Sequence, residues 1–372
     1  MVPVPAEDFA LRRVKGINLM QGTRDSRAPA EQRRGLVANL RRELQETRRE
    51  LQEITDQFHA ALQREEALRA RIHWGWRQRL RTCLGVRLGV MQQYRPRPLQ
   101  IPGDDTTGAR LAPLTISLVT PSFNQGNFLG RTIESVLDQR YVRLEYVVQD
   151  GLSTDETAQV LARYRPLLTH CESEKDRGQA HAINLGFEHA TGEVMAYLNS
   201  DDLLLPGALH YVADYFARNP DVDVVYGQRV VIDENGAEIG RWVLPPHDNA
   251  VLSWADYVPQ ETLFWRRRIW DRVGGAMDES FQFALDWDLI LRFRDAGARF
   301  VRLPRFLGAF RYHAQQKTSS QLATRGLTEM NRLRQRCHGR SVTFAEIARH
   351  LSGYFMRHVA CHRLYQLGIL RY

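Results

Sequence analysis

At 372 residues, 43% hydrophobic and 25% charged, the chain can bury one full core with material left for appendages, and its composition is that of an ordinary soluble globular protein. The net charge of +8 is unevenly spread: residues 1–110 carry +8, residues 111–318 carry −7 and residues 319–372 carry +7. No run of about 18 apolar residues occurs, so no segment reads as a membrane-spanning helix.

Residues 1–32 mix Pro, Gly, Arg and Asp without periodicity and read as disordered. Glu7, Asp8 and Asp25 fall here without an apolar h-region, which argues against a secretory leader. Residues 33–72 read as a coiled-coil helix. Val37, Leu44, Leu51, Phe58 and Ile72 take one core position of a heptad, and Leu40, Ile54, Ala61 and Leu68 the other; Thr47 and Glu65 break the pattern. Such a seam over 37–72 predicts a homo-oligomer joined through the coil. The other reading is one amphipathic helix packed on its own domain.

Residues 73–112 form a basic amphipathic segment ending in a Pro/Gly linker. No acidic residue occurs between 73 and 103, where Trp74, Trp76, Leu80, Leu84 and Val86 mix with Arg77, Arg79, Arg81 and Arg87. That mixture suits an interfacial helix on an anionic membrane surface. A basic linker helix and a nucleic-acid contact are the alternatives. Pro96, Pro98, Pro102 and Gly103 mark the boundary before the next domain.

From residue 113 the pattern becomes α/β. Strands are predicted at 115–120, 144–149, 194–198 and 222–226, with helices at 128–139, 154–164, 178–190 and 206–218. This alternation predicts a doubly wound, mostly parallel sheet with helices on both faces. Ligands of such sheets sit beyond the carboxyl ends of the strands. Three polar loops fall there: Pro121-Ser-Phe-Asn124, Asp150-Gly-Leu-Ser-Thr-Asp155 and Asn199-Ser-Asp-Asp202. Adjacent carboxylates at a strand end suit a hard cation such as Mg²⁺ or Mn²⁺. Asp202 reads equally as a helix cap, standing just before Pro206 at a plausible first helical position. Further on, residues 328–372 look helical, with Phe344, Ile347, Leu351, Phe355 and Val359 in one stripe that either packs on the domain or lies on lipid. The four cysteines, Cys83, Cys171, Cys337 and Cys361, are far apart, as expected of reduced thiols in a cytosolic protein.

In order along the chain stand Leu118-Val-Thr-Pro-Ser-Phe-Asn124, Val147-Val-Gln-Asp-Gly-Leu-Ser-Thr-Asp155, the Gly178–Gly186 stretch, Leu198-Asn-Ser-Asp-Asp-Leu203, Tyr226-Gly227, Gly274-Gly275 and Ala284-Leu-Asp-Trp-Asp-Leu289. This series resembles glycosyltransferase family 2, whose fold is called GT-A, over 113–318, with a nucleotide-binding half at 113–227 and an acceptor half at 228–318. Residues 319–372, basic helices, lie beyond it.

The resemblance implies a metal-dependent, inverting transfer of a single sugar from a nucleotide-sugar donor, UDP-linked or dTDP-linked, to the hydroxyl of a glycan or lipid-linked acceptor. It implies Asp150 as reader of the base, Pro121 and Asn124 as lining of base and ribose, and Arg177 as a cation near the nucleotide. Asp202 matches the metal ligand and Asp201 is shared between metal and ribose. His313 resembles a late metal-shell histidine, and Asp286 matches the general base. Asn199 and Leu285 replace acidic residues that many members carry.

The implied cofactor is Mn²⁺ or Mg²⁺, and the implied setting is bacterial surface polysaccharide or glycolipid assembly. The expected location is the cytoplasm, with the basic ends resting on the inner face of the plasma membrane; no nucleic-acid partner is expected. The competing reading is a catalytically inactive GT-A scaffold that assembles partners through its coil.

Overall fold

The computed structural model describes residues 87–100, 113–313, 316 and 322–372, together with Arg42 and Gln45, both helical. The rest of the expected coil, and the expected disordered start, lie outside the described residues. The chain divides into two compact units, Met1–Trp74 and Gly75–Tyr372; the second contains every element below.

Its first half alternates strand and helix. β1 (Ile116–Ser122) is buried throughout, as an apolar run in a parallel sheet covered on both faces must be. α1 (Gly126–Leu137) turns Leu129, Ile133 and Val136 inward, the 3.6-residue period laid on the sheet. β2 (Leu144–Asp150), α2 (Thr157–Tyr164), β3 (His170–Ser173), α3 (Gln179–Glu188) and β4 (Val194–Tyr197) continue the pattern. α3 lies so close to β1 that a methyl at Gly186 would meet Val119 Cγ1 at 2.4 Å, which is why glycine sits in the middle of this helix.

β5 (Leu203–Leu204), α4 (Ala208–Arg218), β6 (Val224–Ile232), β7 (Glu238–Trp242), α5 (Asn249–Leu252), β8 (Phe264–Arg266), α6 (Arg267–Arg272), α7 (Leu285–Asp295) and β9 (Phe300–Arg311) complete the sheet region. The strand order is β3-β2-β1-β4-β8-β6-β9-β5, with β7 paired to β6. β1 to β4, β6 and β9 point one way, while β5, β7 and β8 run against their neighbours. This is the mostly parallel α/β sheet expected. The short antiparallel strands were not legible as strands: β8 has three residues and β5 two.

α8 (Leu327–His338) and α9 (Phe344–Gln366) close the chain. Leu333, Leu351 and Tyr354 join the same buried cluster as Leu285, Trp287, Leu289 and Phe293 of α7, so the last helices pack on the domain. The basic segment departs from a helical reading where it is described. Residues 87–100 run as irregular chain along β7, with Gln93 and Tyr94 N–H donating to Ile239 O and a bridge between Arg97 and Glu238. Pro96 and Pro98 cannot sustain a helix there, and buried Glu238 draws Arg97 and Arg241 to itself.

Candidate functional site

The carboxyl ends of β1 and β2 lie in register, Ser122 against Asp150. The Asp150 carboxylate is buried and accepts from Ser153 N at 3.0 Å, from Ser173 Oγ at 2.6 Å and from Ser153 Oγ. Three of its roughly four acceptor positions are thereby occupied. Asn124 has φ of 52°; its N–H donates to Ser153 Oγ and its Oδ1 accepts from Thr154 N at 2.9 Å. Asp155 ties the same two loops by accepting from Gly126 N at 2.9 Å. Pro121 is buried at the end of β1. Pro121, Asn124 and Asp150 therefore form one clasped rim. Arg177 does not aim at Asp150: its guanidinium grips Glu279 through two bonds of 2.9 and 3.0 Å.

The loop after β4 lies beside this rim. Asp202 is buried and its Oδ1 accepts from Arg311 N at 2.9 Å. Arg311, also buried, donates from Nε to Asp201 O, so β9 staples the loop. Thr132 Oγ1 on α1 lies 2.8 Å from Ser200 O and 2.9 Å from Asp202 O. His313 Nε2 approaches Asp201 Oδ2 at 3.1 Å. Asp201 and His313 are in contact, then, while Asp202 faces the interior beside them. Asn199 accepts from Gln179 Nε2 and donates to Gln260 Oε1, a bridging amide in the place of a carboxylate.

At the floor, Arg229 and Glu261 form a buried two-bond pair of 2.7 and 2.6 Å, with the guanidinium over Trp242 and Phe310. Around it the acids influence one another. Burial pushes the Asp202 carboxyl well above the usual aspartate range, Asp201 and Glu261 add to that, and the Arg311 N–H and the Arg229 charge oppose it. Asp286 opens α7. Burial raises its pKa, the Trp287 N–H and Arg229 pull it back, and Glu261 adds to the rise. Asp256, which is exposed, interacts with Asp286 and Arg229. The Tyr197 hydroxyl is raised by burial and by Asp286, Asp256, Asp202 and Glu261 together. Asp202 and Asp286 thus both feel the charges of Arg229 and Glu261.

Asp288, two residues on, is spent differently. It is buried and paired with Arg292 at 2.8 Å and with Arg336, a structural role that leaves Asp286 as the unpaired carboxylate of the two among the described residues. Glu329 of α8 accepts from the N–H groups of Gln282, Phe283 and Ala284 at 2.8–3.2 Å and so caps the approach to α7. His181 meets Arg177 N at 3.4 Å. Trp242, Trp254, Trp265, Trp270 and Trp287 are all buried in the core, so none presents a ring face to a sugar.

Sequence reasoning missed Asp256, Glu261, Arg229, Arg311 and Glu329. The signal for Glu261 was present: a single acid between the apolar pairs Tyr257-Val258 and Leu263-Phe264 has to find a buried partner.

An open, mostly parallel sheet with its buried carboxylates at one strand-end rim is the arrangement of the GT-A class. In three dimensions the chain is similar to Staphylococcus aureus TarS 1–349 in complex with UDP-GlcNAc, with a TM-score of 0.51 and 18% identity over 66% of this chain and 73% of that one, a likeness that shows the fold. The profile of "Glycosyl transferase family 2" matches residues 117–282. An uncharacterised glycosyltransferase of Mycobacterium tuberculosis is 31% identical over 183 residues, covering 48% of this chain and 68% of that protein. Escherichia coli WfgD, a UDP-Glc:α-D-GlcNAc-diphosphoundecaprenol β-1,3-glucosyltransferase, is 30% identical over 131 residues, 35% of this chain and 51% of that protein. The chain belongs to glycosyltransferase family 2.

Proposed function

We propose that the protein is a metal-dependent, inverting transferase that moves one sugar from a UDP-sugar, or a dTDP-sugar, to an acceptor hydroxyl in bacterial surface polysaccharide or glycolipid assembly. The catalytic region in this reading is 113–318, with α8 and α9 packed against it. One observation supports the proposal most: parallel pairing sets the ends of β2, β1 and β4 side by side, so Asp150 and the Asp201–Asp202 loop share one sheet edge, where Asp201 meets His313 at 3.1 Å.

The roles follow from the contacts. Asp150 keeps about one acceptor position open, enough for the ring N–H of a uracil or thymine base. Pro121 and Asn124 line base and ribose, and Asp201 serves the ribose. Arg177 would have to leave Glu279 to reach the diphosphate.

The donor set also fits a hard divalent cation. A buried carboxylate without an ion pair, pushed up by neighbouring acids, gains from a positive charge, and carboxylate oxygens beside an imidazole suit Mn²⁺ or Mg²⁺. Asp202, Asp201 and His313 would hold it. Such a cation offsets the negative charge that grows on a departing diphosphate. Asp286 takes the proton of the acceptor hydroxyl. That oxygen then bonds to the anomeric carbon as the carbon–diphosphate oxygen bond breaks, in one displacement that inverts the centre. General-base assistance of this kind contributes roughly 10²–10⁴-fold.

Lipid-linked acceptors suit the far end of α9, where exposed Leu364, Leu367 and Ile369 lie among Arg363 and Arg371, a mixture fit for an anionic membrane surface. Among the described residues no helix is long and apolar enough to cross a membrane.

The test is a panel of UDP- and dTDP-sugars scored by thermal shift with and without Mn²⁺, followed by turnover of the donor that binds. Asp202→Ala should abolish the metal-dependent shift, and Asp286→Asn should keep binding but lose transfer. Full transfer by Asp286→Asn would overturn the proposal, and nucleotide binding without turnover against any acceptor would favour an inactive scaffold.

A further inference from the structure

A second cluster of metal-binding groups lies away from the rim. His170 and Glu172 stand two apart on β3, so the pleat turns both side chains to one face. α3 packs over β1 and β2, and its C-cap residue, His189, stacks on His170 with ring centroids 3.6 Å apart and planes inclined by 15°. His170 Nε2 lies 3.4 Å from Glu172 Oε2. One ligand atom from each of the three falls within 4.8 Å of the others, the one such trio among the described residues. Asp201, Asp202 and His313 are not so tightly gathered.

We propose that His170, Glu172 and His189 form a second metal site, selective for a borderline transition ion such as Zn²⁺ and independent of the site at Asp202. Two imidazoles and one carboxylate, with a water as fourth ligand, form a common zinc set, whereas Mg²⁺ prefers all-oxygen surroundings. Zinc–nitrogen bonds of about 2.0–2.1 Å at a tetrahedral angle place two ring nitrogens about 3.3 Å apart, inside the 4.8 Å within which the ligand atoms already lie. Lone pairs lie in the ring plane, so loading turns the rings from face-to-face to convergent. The side chains are partly exposed, 31% for His170 and 45% for Glu172, and have room to turn.

The site would join two elements that feed the rim. β3 leads in three residues from His170 to Ser173, which holds Asp150. α3 starts at Gln179, which holds Asn199, and runs about 15 Å to His189 at 1.5 Å per residue. A zinc ion there would tie edge strand β3 to the end of α3.

The test titrates zinc into the EDTA-stripped full chain, with its thiols blocked by iodoacetamide, at a pH above the ordinary histidine value of about 6.5. The proposal expects a saturable site that raises the melting temperature, is lost in His189→Ala, is weakened at least tenfold in Glu172→Gln and is kept in Asp202→Asn. Cobalt should give tetrahedral visible bands in the wild type that His189→Ala lacks. Zinc affinity unchanged in His189→Ala, or loss of the site in Asp202→Asn, would overturn it. So would the absence of saturable binding, leaving the trio as a stacked histidine pair with one hydrogen bond.

Discussion

Replacing Glu329 tests whether the last two helices belong to the catalytic machinery. Its carboxylate holds the N–H groups of Gln282, Phe283 and Ala284, the three residues before the helix that opens with Leu285 and Asp286. That helix has no side-chain cap of its own at Ala284, so α8 supplies one from 45 residues away. Hydrogen bonds to a charged group contribute roughly 1.5–3 kcal/mol each, and a buried donor left alone costs roughly 1–3 kcal/mol. Glu329→Gln keeps one oxygen for Phe283 and Ala284 but sets an amide NH₂ against Gln282 N–H, an expected loss of about 1–3 kcal/mol. Glu329→Ala strands Phe283 and Ala284 while exposed Gln282 turns to water, an expected loss of about 2–6 kcal/mol. Denaturant midpoints measure these losses, and release of nucleoside diphosphate at saturating donor and acceptor measures turnover. A base displaced by about 1 Å costs on the order of 10²-fold, so the Gln variant should lose roughly 10–100-fold in kcat with the donor KM unchanged. Wild-type kcat at reduced stability would show that the cap serves folding alone, and an unchanged midpoint would defeat the energetic reasoning outright.

Asp202→Asn removes a buried carboxylate whose ionisation burial opposes; the metal-free protein should melt about 2–4 °C higher for each kcal/mol recovered while the Mn²⁺-dependent shift disappears, and a lower melting point would refute this. Asp286 keeps its proton above the ordinary aspartate value of about 3.9, because burial raises it. Between that value and its raised one the folded state binds more protons than the unfolded, so the stability it contributes falls as pH rises through the window. In its proposed role as base it must be ionised, so kcat/KM should fall as pH drops, on a limb above about 3.9. Asp286→Asn should remove the stability slope and cost roughly 10²–10⁴-fold in kcat with the circular dichroism spectrum unchanged. Arg229→Met leaves Glu261 charged and alone, for a loss of about 3–5 kcal/mol, whereas Arg229→Met/Glu261→Leu should recover most of it; additive losses in chemical denaturation would contradict the buried pair.

The strand-end rim was legible because its signals are local. An apolar run followed by Pro121 marks β1, Asp150 follows a second run, and Asp201 and Asp202 follow a third; parallel pairing then brings their ends together without further information. The acceptor side was less legible because its contacts span long stretches of chain. Arg311 meets Asp202 from 109 residues on, and Arg229 meets Glu261 across 32. Nothing in the period or composition of β9 announces that its last arginine will staple an earlier loop. Asp286 and Asp288 share the same helical turn and the same chemistry in the sequence. They part only in space, where Arg292 and Arg336 neutralise one and leave the other without an ion pair among the described residues.

The charge balance around Arg229 bears on the order of binding. Asp201, Asp202, Glu261 and Asp286 interact with the buried guanidiniums of Arg229 and Arg311, and Arg177, the cation that the resemblance puts near the nucleotide, is engaged by Glu279. The carboxylates that are ionised repel a diphosphate, and those that burial keeps protonated offer it no positive charge. A nucleotide should therefore bind weakly to the metal-free protein and tightly once a divalent cation has reversed the local sign. If UDP raises the melting temperature as far in EDTA as in Mn²⁺, the acids around Arg229 are not the charge that the donor meets.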